Sequence, residues 1–299
     1  MCALRWPWRS DRIIDPADAW ERPAPASAVA AGDRDRSGAY ASRPADRWRV
    51  PAGAPDALAA ACGTTGRGDL LLVEPDVRAA DAARTKFVAA PTTVVGFGDQ
   101  SAALWADGQV WVTVPYKHVM LVEDVHFLLY GRLTLYAPDA RLTVRYNTVS
   151  RRAVIPLLAS VRRRVAPPTG LTVPDRVPHD LPYKWEALLA NPEIRLDPQA
   201  PMAVTAVTAE RRRSHRVVGL VMATDREMAV LSEPLRAATG EYGTDARYLP
   251  RARLRHLDRV EDAVVIDSGE STLMVDIEGE VAAALVRFCE DLPSGLPGR

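Results

Sequence analysis

The chain predicts a mainly β protein in two units, each a run of short strands closed by an amphipathic helix, after a disordered N-terminal arm. Three observations carry this expectation. From Gly68 onward, β-branched and apolar residues gather in short runs separated by turn residues. Twice the alternating pattern gives way to a helical stripe, at 150–165 and at 280–292. The order of elements leading to the second stripe repeats the order leading to the first.

Residues 1–66 are dominated by Ala, Arg, Asp, Pro and Gly without a sustained period, so they bury too little apolar surface to offset their ordering entropy. They read as a disordered arm, with Trp6, Trp8, Trp20 and Trp48 able to dock and a short helix at Pro55–Cys62. The first unit, 67–165, has strands at Leu70–Glu74, Thr92–Phe97, Ala102–Trp105, Val110–Val114, Val119–Val122, Phe127–Tyr136 and Arg141–Tyr146. Gly98-Asp99, Asp107-Gly108, Asp124 and Pro138-Asp139 read as its turns. Val154, Leu157, Leu158, Val161 and Val165 then form one face of a helix expected to start close to Pro156. Residues 166–202 hold eight prolines and read as a linker, semi-rigid where Pro is dense, with a short helix at Tyr183–Ala190.

The second unit, 203–292, has strands at Ala203–Thr208, Val217–Ala223, Met228–Leu231, Leu254–Val260, Ala263–Asp267 and Thr272–Ile277. Its helix, Glu280–Leu292, carries Val281, Leu285, Phe288, Cys289 and Leu292 on one face, and 293–299 is a tail. The units align at several points. Asp99-Gln-Ser-Ala-Ala-Leu matches Asp225-Arg-Glu-Met-Ala-Val, and the Pro138-Asp139 turn matches Ser268-Gly269. Pro115 with Val119, Val122 and Val125 matches Pro250 with Leu254, Leu257 and Val260 at equal spacing.

This layout, with Leu128-Leu129-Tyr130-Gly131-Arg132-Leu133 and Arg145-Tyr146-Asn147, resembles tandem bacterial pleckstrin-homology-like (PH-like) domains. The resemblance implies two β-barrels, each with two nearly orthogonal sheets and a C-terminal amphipathic helix plugging the open corner. It implies a binding or docking role rather than catalysis, since the superfold hosts lipid-headgroup, peptide and protein binders. Another small β-barrel, of OB or SH3-like type, fits the strands but does not require the closing helices.

Arg211-Arg212-Arg213-Ser214-His215-Arg216 lies between the first two strands of the second unit, where phosphoinositide-binding PH domains hold phosphates. Clustered guanidinium groups suit an anion because each bonds it in bidentate fashion. The strand after the loop, Val217–Ala223, lacks the family's basic residues, so a solvated turn competes with an anion site built from Arg211, Arg212, Arg213, His215 and Arg216. Arg251, Arg253 and Arg255 alternate and read as the polar outer face of an extended segment. The first closing helix carries Arg151, Arg152, Arg162, Arg163 and Arg164, and the second Glu278, Glu280, Glu290 and Asp291. The charge at the C-terminus of the basic helix and at the N-terminus of the acidic one complements the helix dipoles, and the five arginines are also a candidate partner surface, for the other unit or for an acidic protein.

The chain is neutral, with 38 Lys+Arg against 38 Asp+Glu, which excludes a generally basic coating protein and argues against nucleic acid as the partner. Residues 67–165 hold 13 Lys+Arg against 9 Asp+Glu, and residues 203–299 hold 13 against 16. That asymmetry favours docking between surfaces. Cys2, Cys62 and Cys289 are far apart and form no CxxC pair, which fits a reducing compartment. With no secretory-type N-terminus and no long apolar run, a cytoplasmic protein is expected. Arginine far outnumbers lysine, a coding bias of GC-rich bacterial genomes. His118, His126, His179, His215 and His256 show no metal-ligand spacing, and no GxSxG, Walker loop or GxGxxG occurs. No metal, cofactor or catalytic set is therefore expected. The leading expectation is a non-enzymatic module that docks a protein or peptide. The alternatives are peripheral attachment to anionic membrane lipid through Arg211–Arg216, and an enzyme whose site is assembled from scattered residues.

Overall fold

The fold is known from a computed structural model, which describes residues 40–44, 53–63, 69–75, 78–79, 87–88, 93–106, 108–127, 130–148, 151–191, 193–211, 214–233, 243–261, 263–277 and 279–292. It is mainly β, with a few helices and several antiparallel sheets. In the first unit β2 (Asp69–Pro75), β5 (Thr93–Phe97), β6 (Ser101–Ala106) and β7 (Gln109–Pro115) form a meander. It is followed by a second meander, β8 (Leu121–Phe127), β9 (Tyr130–Tyr136) and β10 (Arg141–Asn147). A two-residue pair, β3 (Arg78–Ala79) with β4 (Phe87–Val88), lies between β2 and β5 in sequence.

In the second unit the four-stranded meander is β11 (Ala203–Arg211), β12 (Ser214–Ala223), β13 (Glu227–Ser232) and β14 (Gly243–Pro250). The three-stranded one is β15 (His256–Val260), β16 (Ala263–Asp267) and β17 (Thr272–Asp276). Each unit is thus four strands, then three, then a helix.

Two segments of the stretch read as a disordered arm carry regular structure, one of them the short helix expected at Pro55–Cys62. Strand β1 (Tyr40–Pro44) pairs with β2, and helix α1 (Ala54–Cys62) packs Leu58 and Cys62 against Val94, Ala103 and Trp105. The helix is ended by Gly63, whose φ of 66° suits glycine and lets its N–H reach the Ala59 and Ala60 carbonyls. The four tryptophans of the arm lie outside the described residues.

The repeat is visible in the hydrogen bonds. After Pro115 and Pro250 the chain makes one 3-10 turn, Tyr116–His118 and Arg251–Arg253 respectively. Tyr116 N–H donates to the Gln100 carbonyl at 2.8 Å and Arg251 N–H to that of Arg226 at 2.9 Å. Val119 closes onto Tyr116 at 3.2 Å, and Leu254 onto Arg251 at 3.1 Å. The later turns align one residue away from the expected match. Ala137 N–H to Ala140 corresponds to Ser268 N–H to Ser271, so Pro138-Asp139 sits opposite Gly269-Glu270.

The halves share their largest sheet. Its order is β10-β9-β8-β14-β13-β12-β11, and the seam between halves is the antiparallel pair β8–β14, with Glu123 facing Arg247 and Asp124 facing Ala246. Among the described residues no sheet closes on itself as a barrel. Both faces of the shared sheet are buried. One core joins Val122, Leu133 and Tyr146 of the first half to Leu220, Leu231 and Tyr248 of the second. The other joins Met120 and Leu121 to Val230, Leu249, Val264 and Leu285.

Helix α2 (Arg151–Val165) covers the first core with the expected stripe, Val154, Leu157, Leu158, Val161 and Val165, all buried. It starts earlier than expected, so Pro156 stands just past the first turn, on the exposed side of the helix. Helix α4 (Gly279–Asp291) buries Val281, Leu285, Phe288 and Cys289 in the second core. The Pro-rich connection is docked against the fold. Its helix α3 (Tyr183–Ala190) inserts Trp185, whose Nε1 donates to the Val217 carbonyl at 3.3 Å, and Val173, Leu181, Leu189 and Ile194 are buried as well. Among the described residues no helix is long and apolar enough to cross a membrane.

Candidate functional site

The arginines expected on a partner surface divide sharply. Arg163 is exposed, and Arg164 reaches Ser160 and, at 3.4 Å, Asp99. The Arg152 side chain lies outside the described residues. Arg151 and Arg162 turn inward instead: Arg162 meets the other half, one of the two surfaces expected for it, while Arg151 meets β8 of its own half and the Pro-rich connection. Along α2 they sit on the side that meets the shared sheet, where carboxylates of β8 and β13 wait for them.

Asp124, expected in a turn, is a fully paired strand residue of β8 and buried. Tyr146 donates to its Oδ1 at 2.7 Å and Arg151 to its Oδ2 at 2.9 Å, while Arg151 Nε also donates to Glu193 at 2.9 Å. Tyr146 fits because β9 has Gly131 beside it: a Cβ there would stand 2.3 Å from the ring. Arg162, 1% exposed, forms a bidentate ion pair with Glu227 of β13 and donates to the Glu193 and Ile194 carbonyls at 2.7 and 2.8 Å. Its guanidinium lies 3.5 Å over the Tyr248 ring of β14. Burial works against the Arg162 charge, but Glu227 and the other groups around it outweigh burial and raise its pKa. A helix of the first half is thereby fixed to two strands of the second.

The opposite face of the seam holds a second network. Glu123 accepts from Arg132 at 2.9 Å and Tyr136 at 3.0 Å, and its other oxygen lies 3.3 Å from Arg247 Nε across β8–β14. Arg247 also donates to Asp245 at 2.9 Å and to the Asp276 carbonyl at 2.6 Å. Burial pushes the Asp245 carboxyl up to about 6; Glu123 adds to this and Arg247 opposes it. On the Asp124 face, burial lowers His126 to about 4, and the Arg151 charge lowers it further while Asp124 opposes.

These two groups give opposite pH dependences. Asp245 holds its proton more tightly in the fold than in the unfolded chain, so its contribution to stability falls as pH rises from about 4 to about 6. His126 is neutral in the fold where the unfolded chain is protonated, so its contribution is lost as pH falls from about 6.5 to about 4. Asp245→Asn is expected to match the wild type near pH 4 and exceed its stability by about 1–3 kcal/mol at pH 7. Denaturation midpoints at the two pH values check this, and an equal effect at both would sink it.

Where the arginine segment begins, Arg211 of β11 pairs with Ser214 of β12. Arg212, Arg213 and the side chains of Arg211 and His215 lie outside the described residues. Arg216 is exposed and ion-paired with Glu233, which Lys184 of α3 also contacts at 2.9 Å. Arg251 and Arg253 lie in the 3-10 turn rather than on an extended face. Arg251 is fully buried and donates to the Thr224 carbonyl at 2.8 Å, and Arg253 donates to that of Val119 at 3.0 Å. Cys62 and Cys289 are buried free thiols, and burial pushes the Cys289 thiol up to about 12.

Sequence reasoning missed a concavity in the second half. A cavity of about 970 Å³ runs between β11, the ends of β15 and β17, and α4. Val207, Ile277, Ala284 and Phe288 give it an apolar floor. The signal was present in β11, whose Thr205, Ala206 and Thr208 are small and half-buried or exposed rather than core-sized. The strand ends the seven-stranded sheet, and its outer side faces the cavity. No family model matches the chain, and no curated protein matches it at significant similarity.

Proposed function

We propose that the chain is a non-enzymatic docking module built from two PH-like units fused along one sheet, and that it binds a protein or peptide partner. The element order of each half, four strands, three strands and a closing helix, supports the PH-like reading. The observation that carries docking is the cavity beside a sheet edge that no described segment pairs with beyond Ala203, since clefts of this size with an apolar floor and a polar rim are where ligands bind. Of the arginines expected on a partner surface of α2, Arg162 is used up in joining the halves and Arg151 in holding Asp124 and Glu193, so the groove is the better-supported partner surface.

Attachment to anionic lipid through Arg211–Arg216 is the second reading. It is weakened because Arg216 already spends its charge on Glu233. Affinity capture from native lysate with the wild type and with Ala283→Trp, which fills the groove from α4, separates the two. A partner retained by the wild type and reduced about tenfold by the variant, a difference of about 1.4 kcal/mol, is the expected result. Binding to anionic but not neutral vesicles that is abolished by Arg212→Ala with Arg213→Ala, and no captured protein, would replace docking with membrane attachment.

A further inference from the structure

We propose that the groove takes an extended, basic peptide that adds as a strand to the outer edge of β11; this rests on the docking reading above. The edge already accepts a backbone bridge at one end. In the connection between the halves, Arg176 N–H donates to the Met202 carbonyl at 3.0 Å, and Val204 N–H donates to the Arg176 carbonyl at 2.7 Å, a parallel bridge centred on Ala203. The connection then leaves the sheet, and from Thr205 onward no described segment pairs with that edge. Backbone groups alternate sides along a strand, so Ala206 directs its N–H and C=O outward as Val204 does. They open onto the cavity, which Thr205, Ala206, Val207 and Thr208 line.

Strand addition draws affinity from main-chain bonds and specificity from pockets for alternate side chains. Here one side of an added strand would meet the apolar floor. The rim sets the charge of the rest. Asp276, Glu280 and Asp291 are exposed on it and make no ion pair among the described residues. The two rim arginines are partly engaged: Arg259 Nε donates to the Glu261 carbonyl at 3.0 Å and Arg287 Nε to that of Ala283 at 3.3 Å. Open carboxylates therefore outnumber guanidinium groups, in a half that is itself acidic. A segment alternating apolar residues with Lys or Arg complements both the floor and the rim.

The test is panning of a random peptide library on the full chain, followed by hydrogen exchange on complexes with synthetic copies of the enriched peptides. The expected result is enrichment of peptides with basic residues at alternate positions and slowing of Ala206 amide exchange by about tenfold or more in the complex. Asp276→Lys with Asp291→Lys is expected to weaken binding about tenfold or more, a loss of about 1.4 kcal/mol. Enrichment of acidic or uncharged peptides, unchanged exchange at Ala206, or no enrichment overturns the proposal. If Ala283→Trp still removes a captured lysate partner in those cases, docking stands and only the peptide class and edge pairing fall. If Ala283→Trp changes neither capture nor peptide binding, both readings fall.

Discussion

Arg162→Met lowers the unfolding free energy by about 3–5 kcal/mol, the expected loss when one member of a buried ion pair is removed. The reason is what remains. Glu227, 3% exposed, would keep its charge with no counterion, and the Glu193 and Ile194 carbonyls would each lose a charged donor. The Tyr248 face would lose its cation as well. Urea midpoints at unchanged slope measure the effect. Arg162→Met combined with Glu227→Leu is expected to recover about half or more of the loss, because apolar replacement of a whole buried pair is often neutral. A single-variant loss below about 1 kcal/mol would place this pair with surface ion pairs and remove it as the bolt between the halves.

Cutting the chain between the halves gives the second large effect. With the backbone opened between Pro168 and Thr169, neither fragment is expected to fold cooperatively alone, and the two are expected to refold together when mixed. The seam is a run of six paired residues, Gly243 with Phe127 through Tyr248 with Val122, and both cores contain side chains from each half. Separation would expose β8 and β14 as bare edges and open both cores to water. Far-ultraviolet circular dichroism and size-exclusion chromatography of the fragments, apart and mixed, check this. Charge steers such association, but backbone pairing and apolar burial hold it, so molar salt is expected to leave the mixed complex intact. Two fragments that each fold and stay apart would show that the shared sheet is not required.

Much of the fold was legible because water faces one side of it. The stripes on α2 and α4 have a dry and a wet face, and every residue assigned to those stripes is buried. The failures cluster at the seam, where both faces are dry. Strand β14 was missed because Asp245 and Arg247 occupy inward positions, so the run reads as polar although Thr244 through Pro250 are all buried. Asp124 looked like a turn residue for the same reason: its partners, Tyr146 and Arg151, come from other elements and leave no local signature. Arg162 looked like surface charge because helix C-termini favour arginine, and Glu227 lies 65 residues away. The groove depends on the gap between β11 and α4, elements at opposite ends of the second half.

The β8–β14 seam also sets a timetable for synthesis. Strand β8 leaves the ribosome well before β14 exists, because five further strands, α2 and the Pro-rich connection must be made first. At about 5–20 residues per second, that interval lasts on the order of ten seconds. During it the first half displays an unpaired edge beside a half-covered core, and β8 of one nascent chain is open to β14 of a neighbour whose own seam has not yet closed. Domain-swapped dimers joined through this pair are the assembly error that the fold invites.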